Sequence, residues 1–300
     1  MKIRIASAQY PITAHSNFEA WEKHISTWIE NALRENPDVL LFPEYGSMEL
    51  VSIFPLEIQQ DIQKQVRELQ SIYPRFCAVF EALAIKHQVI LIAPSFPVEI
   101  GQSIVNRVSV FGKKGFIGYQ DKFFMTRFEQ ESWKIDSGEK RLTLFEAPWG
   151  KFGIQICYDV EFGIGSQLLC NAGATVILAP SCTETLRGAT RVHVGARARA
   201  LENQAYVVVS QTVGEALWSP AVDINFGFAA CYATPDKGFS EEGIEKLGTA
   251  QAEAWLFANL DLEKIQEVRA DGQVLNFRDQ HGILTNLASD TIEVKHVFTE

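Results

Sequence analysis

In the stretch KFGIQICYDVEF, residues 151–162, Phe152, Ile154 and Ile156 alternate with Gly153 and Gln155. That period of two predicts a short buried strand. Cys157 stands where the strand stops, followed by Tyr158, Asp159 and Glu161. Strand ends in α/β proteins open onto the usual ligand crevice. A cysteine there is both accessible and rigidly held, which suits a nucleophile. Free cysteine also packs as a small hydrophobe, so the stretch by itself leaves both readings open.

On either side of it, apolar runs alternate with helical stripes. Residues 2–10 read as a strand, with Ile3 and Ile5 set against Lys2 and Arg4. Ser16 and Glu19 form a capping-box pattern. Beyond them Phe18, Trp21, Ile25, Trp28, Ile29 and Leu33 recur on one helical face, which reads as core packing. Asn36-Pro37 stops that helix. Val39–Phe42 is then an apolar strand running into Pro43-Glu44-Tyr45. Helices are expected over 55–70 and 75–87, and a buried strand at Val89–Ala93. A hairpin of 103–111 and 116–120 turns at Gly112-Lys113-Lys114-Gly115 and leaves the sheet at Asp121-Lys122. Residues 123–140 read as an aromatic and charged loop. Strands follow at 141–147 and 152–156, a helix at 162–171 stopped by Gly173, and a strand at 174–179. Further on are a helix at 189–203, a strand at 206–210, strands near 226–233 and 253–260, and a helix at 262–269. The tail at 290–298 alternates like an edge strand. No linker, repeat or low-complexity segment interrupts the pattern. It predicts one α/β domain over residues 1–300, with two sheets covered by helices.

Composition narrows the partners. Of the 300 residues 47% are hydrophobic, enough for a large core, and the net charge is −10. Phosphate binding relies on a surplus of Lys and Arg, so a nucleic-acid partner is not expected. No basic block or apolar run long enough to span a bilayer suggests a membrane. Five scattered cysteines with no CxxC pair argue for reduced thiols in a cytoplasmic setting, and against a disulfide framework or structural zinc. The six histidines show no HExxH spacing, so no metal is expected. GxSxG, GxGxxG and P-loop motifs are missing too. His193, on a predicted helix, raises Cys-His catalysis as a rival, but no papain-like or caspase-like signature surrounds any cysteine.

Glu44, Lys122 and Cys157 each close a predicted strand. Singly, Glu44 could be a helix cap and Lys122 a solvated loop residue. Together they can cleave an amide. A carboxylate in apolar surroundings can take the thiol proton, the thiolate attacks, and an ammonium stabilises the oxyanion. Water then hydrolyses the thioester.

These residues carry a resemblance to the nitrilase superfamily, the carbon–nitrogen hydrolases with a Glu-Lys-Cys triad. Leu41-Phe42-Pro43-Glu44, Tyr119-Gln120-Asp121-Lys122 and Gly153-Ile154-Gln155-Ile156-Cys157-Tyr158-Asp159 match its three motifs. Ala6-Ser7-Ala8-Gln9, Ala179-Pro180-Ser181 and Arg199-Ala200-Leu201-Glu202-Asn203 with Tyr206-Val207 also fit. The resemblance implies a four-layer α-β-β-α sandwich that assembles as a homodimer or larger homo-oligomer, needs no cofactor and acts on a small-molecule amide. It implies Cys157 as nucleophile, Glu44 as general base, Lys122 as oxyanion stabiliser and the Tyr158 N–H as a second oxyanion donor. Glu129 is the preferred second glutamate, with Glu131 as its rival. Phe124 and Arg127 are expected to line the pocket, Arg127 either meeting a substrate carboxylate or making an ion pair. Cys182 follows a strand end close to the pocket. Tyr158-Asp159, where true nitrilases tend to show Trp-Glu, points to amide or carbamoyl cleavage. The chain departs from the family at Glu161-Phe162-Gly163 and at Phe228-Ala229-Ala230-Cys231. Nitrile hydrolysis, acyl transfer and a non-catalytic scaffold are the alternatives.

Overall fold

The computed structural model describes residues 1–280; the predicted strand at 290–298 lies outside them. The first half of the chain runs β1 (Lys2–Pro11), α1 (Phe18–Leu33), β2 (Val39–Leu41), a 3₁₀ helix (Gly46–Ile53), α2 (Leu56–Gln59), α3 (Ile62–Leu69), α4 (Tyr73–His87), β3 (Ile90–Ile92), β4 (Phe96–Ile100), β5 (Ser103–Gly112) and β6 (Gly115–Asp121). A π-helical turn (Glu129–Trp133) leads to β7 (Leu144–Ala147), β8 (Gly150–Ile154), a second 3₁₀ helix (Cys157–Glu161), α5 (Gly163–Asn171), β9 (Val176–Ser181) and α6 (Leu186–Asn203). Then come β10 (Tyr206–Glu215), β11 (Ile224–Asn225), β12 (Ala230–Tyr232), β13 (Ile244–Leu247), β14 (Ala254–Asp261) and α7 (Leu262–Asp271).

Where two separate sheets are expected, hydrogen bonds join the strands into one sheet with the path β4-β5-β3-β2-β1-β10-β9-β8-β7. The hinge is β1. Its Ile5–Ser7 pairs parallel with β2, and its Gln9–Pro11 pairs parallel with β10. Curled at that point, the two halves pack face to face. Ile3, Ile5, Val39, Leu41, Ile90 and Ile92 from one half share a core with Ile154, Val176, Leu178, Val207 and Val209 from the other. Residues of opposite parity in β1, Ala6, Ala8 and Tyr10, lie with Leu40 and Phe42 under the α1 and α4 residues Trp21, Phe76 and Phe80. Helices α5 and α6 bring Leu169, Val192 and Ala196 to the other outer face. The result is the expected four-layer α-β-β-α sandwich. Each fully buried aromatic in the α1–α4 layer contributes roughly 2–3 kcal/mol.

Local chemistry moved some boundaries. Asn17, not Ser16, caps α1, its side chain accepting from the Ala20 N–H at 2.8 Å. Asp61 caps α3 and so breaks the 55–70 segment into two helices. Thr185 caps α6, which starts three residues before the expected 189. No helix among the described residues is long and apolar enough to cross a membrane.

Candidate active site

Three segments converge beyond the ends of β2, β6 and β8. Glu44 follows β2, Lys122 follows β6, and Cys157 opens the 3₁₀ helix after β8. Tyr45 and Cys157 both have left-handed backbones, with φ of 54° and 49°. Such residues cost about 1–3 kcal/mol and persist only where their surroundings over-determine them. At Cys157 the surroundings are explicit. The buried Asp159 carboxylate accepts the N–H groups of Ile156 (3.2 Å), Phe123 (3.1 Å) and Phe124 (2.7 Å). It thereby fastens the loop after Lys122 to the cysteine turn. Burial pushes the Asp159 carboxyl up to about 7, against the opposing pull of Lys122 and those N–H groups. From the other side α6 lies directly on the turn. A Cβ on Gly195 would sit 2.8 Å from the Val160 carbonyl oxygen. Arg199, held by Glu202, donates to that same oxygen at 3.2 Å.

Lys122 is the centre of a buried network. Its Nζ donates to Glu44 Oε1 and to Glu129 Oε2, both at 2.7 Å. Asn106 Nδ2 bridges the same carboxylates, at 2.9 Å from Glu44 Oε1 and 3.3 Å from Glu129 Oε1. Glu129 also accepts the Tyr45 hydroxyl (2.7 Å) and the Thr126 N–H and hydroxyl (2.9 and 2.8 Å). The other oxygen of Glu44 accepts the Cys182 N–H at 2.9 Å. Cys157 Sγ lies 3.6 Å from the Cys182 carbonyl oxygen.

The charges separate the two glutamates. Burial lifts Glu44, and neighbouring Glu129 adds to the lift while Lys122 opposes it. Burial also works against ionised Glu129, but Lys122 and the hydroxyl and N–H donors outweigh it and hold Glu129 below its ordinary value. Burial works against the Lys122 ammonium, yet Glu129 and Glu44 keep it charged well above its usual range. Burial and the Glu44 charge push the Cys157 thiol well up. The resting site is thus a neutral thiol beside a carboxylate of raised basicity, with a fixed ammonium beside both.

These groups line a cavity of about 120 Å³ with Tyr45, Thr126, Phe128, Trp133, Cys182 and the 220–224 segment. A larger hollow of about 520 Å³ shares Cys157, Cys182, Thr126, Phe128 and Glu184 with it, and adds Tyr158, Glu161 and Arg191. Of the residues expected around the substrate, Cys182 lines both spaces and Tyr158 the outer one. Tyr158 sits in the first turn of its helix, where N–H groups lack intrahelical partners. Arg127 also lines the outer space, but its side chain is 87% exposed and pairs with Glu131 at 2.6 Å. Glu131 therefore faces solvent while Glu129 faces Lys122. Phe124 is a correction. Its ring packs at a tilt against Phe162, centroids 4.2 Å apart, and lines a separate, largely apolar cavity. The Asp159 clamp on its N–H fixes the backbone that turns it away.

His193 does not meet Cys157. Its ring is buried between the Tyr232 hydroxyl (2.8 Å) and Gln211 (2.9 Å) and stacks on Phe228. Burial lowers it to about 4. The unfolded chain therefore binds a proton on His193 between pH 6.5 and 4 that the folded chain does not. Stability contributed by neutral His193 is full above pH 6.5 and is lost as the pH falls towards 4, by about 3 kcal/mol. Denaturant unfolding of wild type and His193→Gln at pH 7 and pH 4.5 checks this, with a smaller pH difference expected in the variant; equal differences would refute it.

Sequence reasoning gave no site role to Asn106, Tyr45 or Thr126, and read Asp159 only as a mark of the amide-hydrolysing branch. Asn106 stands in β5 beside Arg107, in a strand that also carries Ser103 and Ser109, so its sequence context did not single it out.

The Carbon-nitrogen hydrolase family matches residues 4–270 of the chain. The chain is 30% identical over 278 residues to the probable hydrolase YhcX of Bacillus subtilis, a match covering 93% of this chain but 53% of that protein. It thus spans about half the length of that relative. It is 26% identical over 252 residues to the omega-amidase NIT2 of Danio rerio, covering 81% of this chain and 83% of the relative. Among solved structures, the carbon-nitrogen hydrolase of Helicobacter pylori G27 superposes with a TM-score of 0.77 at 19% identity, covering 96% of this chain and 99% of that one. By its motifs, its layered fold and the extent of the family match, the chain belongs to the carbon–nitrogen hydrolase family of the nitrilase superfamily.

Proposed function

We propose that the chain hydrolyses the C–N bond of a small non-peptide amide through a thioester on Cys157. The observation that carries this reading is the buried Glu44 carboxylate, with Lys122 on one oxygen and the Cys182 N–H on the other, lining one cavity with Cys157. Glu44 takes the thiol proton as the sulfur attacks the carbonyl carbon. The carbonyl electrons move to oxygen, and the Lys122 ammonium and the Tyr158 N–H receive that charge. Glu44 then gives its proton to the nitrogen, the C–N bond breaks, and ammonia or an amine leaves. Water, deprotonated by Glu44, attacks the thioester, and collapse returns the proton to sulfur as the acid departs. Glu129 holds Lys122 in place and charged. The omega-amidase relative supports an amide over a nitrile, as does Tyr158-Asp159.

The pocket walls bear on the substrate. Trp133, Phe128, Pro220 and Val222 suit an apolar acyl group. Glu184 and Asp223 add negative charge, while Arg127 and Arg191 are engaged by Glu131 and Glu161. A neutral or cationic acyl chain fits better than an anionic one. A panel of primary amides, N-carbamoyl compounds and nitriles with acyl chains of each charge tests both points. The expected result is ammonia release with a transient acyl mass on the Cys157 peptide, fastest for uncharged or amine-bearing amides. A nitrile turned over as fast as its amide would sink the amide reading, and a preference for acidic chains would sink the charge argument.

A homodimer remains part of the proposal. Ile164 and Leu168 of α5 and Leu186, Val194 and Leu201 of α6 are exposed on the outer layer, an apolar face suited to a second copy. Light scattering at micromolar concentration is expected to give twice the chain mass; a monomer would count against it.

A further inference from the structure

A second group of donor atoms lies away from both cavities, where the loop after β1 meets α1 and the 3₁₀ helix of Gly46–Ile53. It consists of Thr13, His15, His24 and Glu49. One ring nitrogen each of His15 and His24 and one carboxylate oxygen of Glu49 all lie within 4.8 Å of one another. Glu49 is buried, the His15 side chain is 7% exposed and His24 is partly buried.

The spacing separates two readings. As a hydrogen-bond network the group is poor. His15 Nε2 is 3.4 Å from Glu49 Oε2, and the Thr13 hydroxyl is 3.2 Å from His15 Nε2, 3.5 Å from His24 Nε2 and 3.5 Å from Glu49 Oε2. Good bonds between such atoms are about 2.7–3.2 Å, a range that only the Thr13–His15 contact reaches, at its upper end. As the edge of a ligand tetrahedron the His15–Glu49 distance of 3.4 Å fits, and His24 lies within 4.8 Å of both. Zinc–nitrogen and zinc–oxygen bonds of about 2.0–2.2 Å place neighbouring ligand atoms about 3.3 Å apart.

The shell behind the carboxylate is built as well. Glu49 Oε1 accepts the Tyr10 hydroxyl at 2.7 Å and the Trp21 Nε1–H at 2.6 Å. Both donors are buried in the α1–α4 layer. They occupy Oε1 and leave Oε2 turned to the histidines, as outer-shell donors do for metal-bound carboxylates. Two imidazoles and one carboxylate suit zinc, whereas calcium and magnesium favour all-oxygen sets.

We infer that His15, His24 and Glu49 form a zinc site, with the Thr13 hydroxyl, close to all three ligand atoms, facing the ion. The sequence hides it, because the ligands come from a loop, a helix and a distant 3₁₀ segment with no motif spacing. The ion ties the loop after β1 and helix α1 to the segment that follows Glu44.

The test uses the full chain stripped of metal by a chelator. Zinc at about one hundred times its dissociation constant is expected to raise the Tm by about 4 °C. That rise disappears in His15→Ala and in His24→Phe, the second of which keeps an aromatic ring in place. Cobalt in place of zinc is expected to give visible bands without the near-ultraviolet thiolate band that binding at Cys157 or Cys182 would produce. The proposal fails if zinc leaves the wild-type Tm unmoved, if the rise persists in His24→Phe, or if the cobalt spectrum shows thiolate ligation. Should His15→Ala not fold, His24→Phe alone decides.

Discussion

Glu44→Gln is expected to lower kcat by about 10³-fold or more while leaving the fold intact. A positioned general base contributes typically about 10²–10⁴, and in the proposed reaction Glu44 moves a proton in both halves. Glutamine has the same shape but cannot take the thiol proton, protonate the leaving nitrogen or activate water. Lys122 keeps Glu129 as a partner at 2.7 Å, so the variant holds the ammonium and the cavity. Steady-state ammonia release, with unfolding curves to certify the fold, measures the effect. A well-folded variant retaining a tenth of wild-type activity would remove Glu44 from the base role. The pH profile has a matching sign. Because burial raises Glu44, activity falls on the acid side at a higher pH than an ordinary carboxylate would give. It falls as the pH drops, since the protonated form cannot act as base.

Lys122→Met carries the second large effect, on stability as well as rate. The ammonium lies between two buried carboxylates that share Asn106 as a donor. Removing one partner of a buried ion network costs about 3–5 kcal/mol, because the remaining charges are left uncompensated. Catalysis is expected to fall about 10²–10³-fold with the loss of an oxyanion partner. The double variant Lys122→Met/Glu129→Gln separates the two causes. Removing the stranded Glu129 charge should restore more than half of the lost stability, read by denaturant unfolding, while activity stays low. Recovery of activity along with stability would mean that Lys122 serves the fold alone.

Much of this site is legible in the sequence because of where apolar runs end. Val39–Phe42, the 116–120 strand and Phe152–Ile156 each deliver a polar residue at the sheet's rim, and that placement survives every boundary error. What resisted reading depends on contacts between remote segments. Asn106 meets Glu44 across 62 positions and Glu129 across 23. Glu129 and Glu131 differ by two residues, and only the π-helical turn of Glu129–Trp133 sends the first inward and the second out to Arg127. Phe124 reads as a pocket aromatic until the Asp159 clamp is known. The Ser16 capping pattern was genuine chemistry one residue off, because Asn17 is an equally good cap.

The curl of the sheet at β1 bears on how activity appears during folding. Asn106, Glu44 and Lys122 belong to one half of the sandwich, and Cys157 with Cys182 to the other. The joint between them is β1 against β10, where Gln9 meets Gln211 and Pro11 meets Val213. Contacts so remote along the chain close slowly, since loop entropy is lost before they form. Hydrolysis on refolding should therefore lag behind helix formation and keep time with closure of that seam. A fragment holding either half alone is expected to hold secondary structure and no catalytic power.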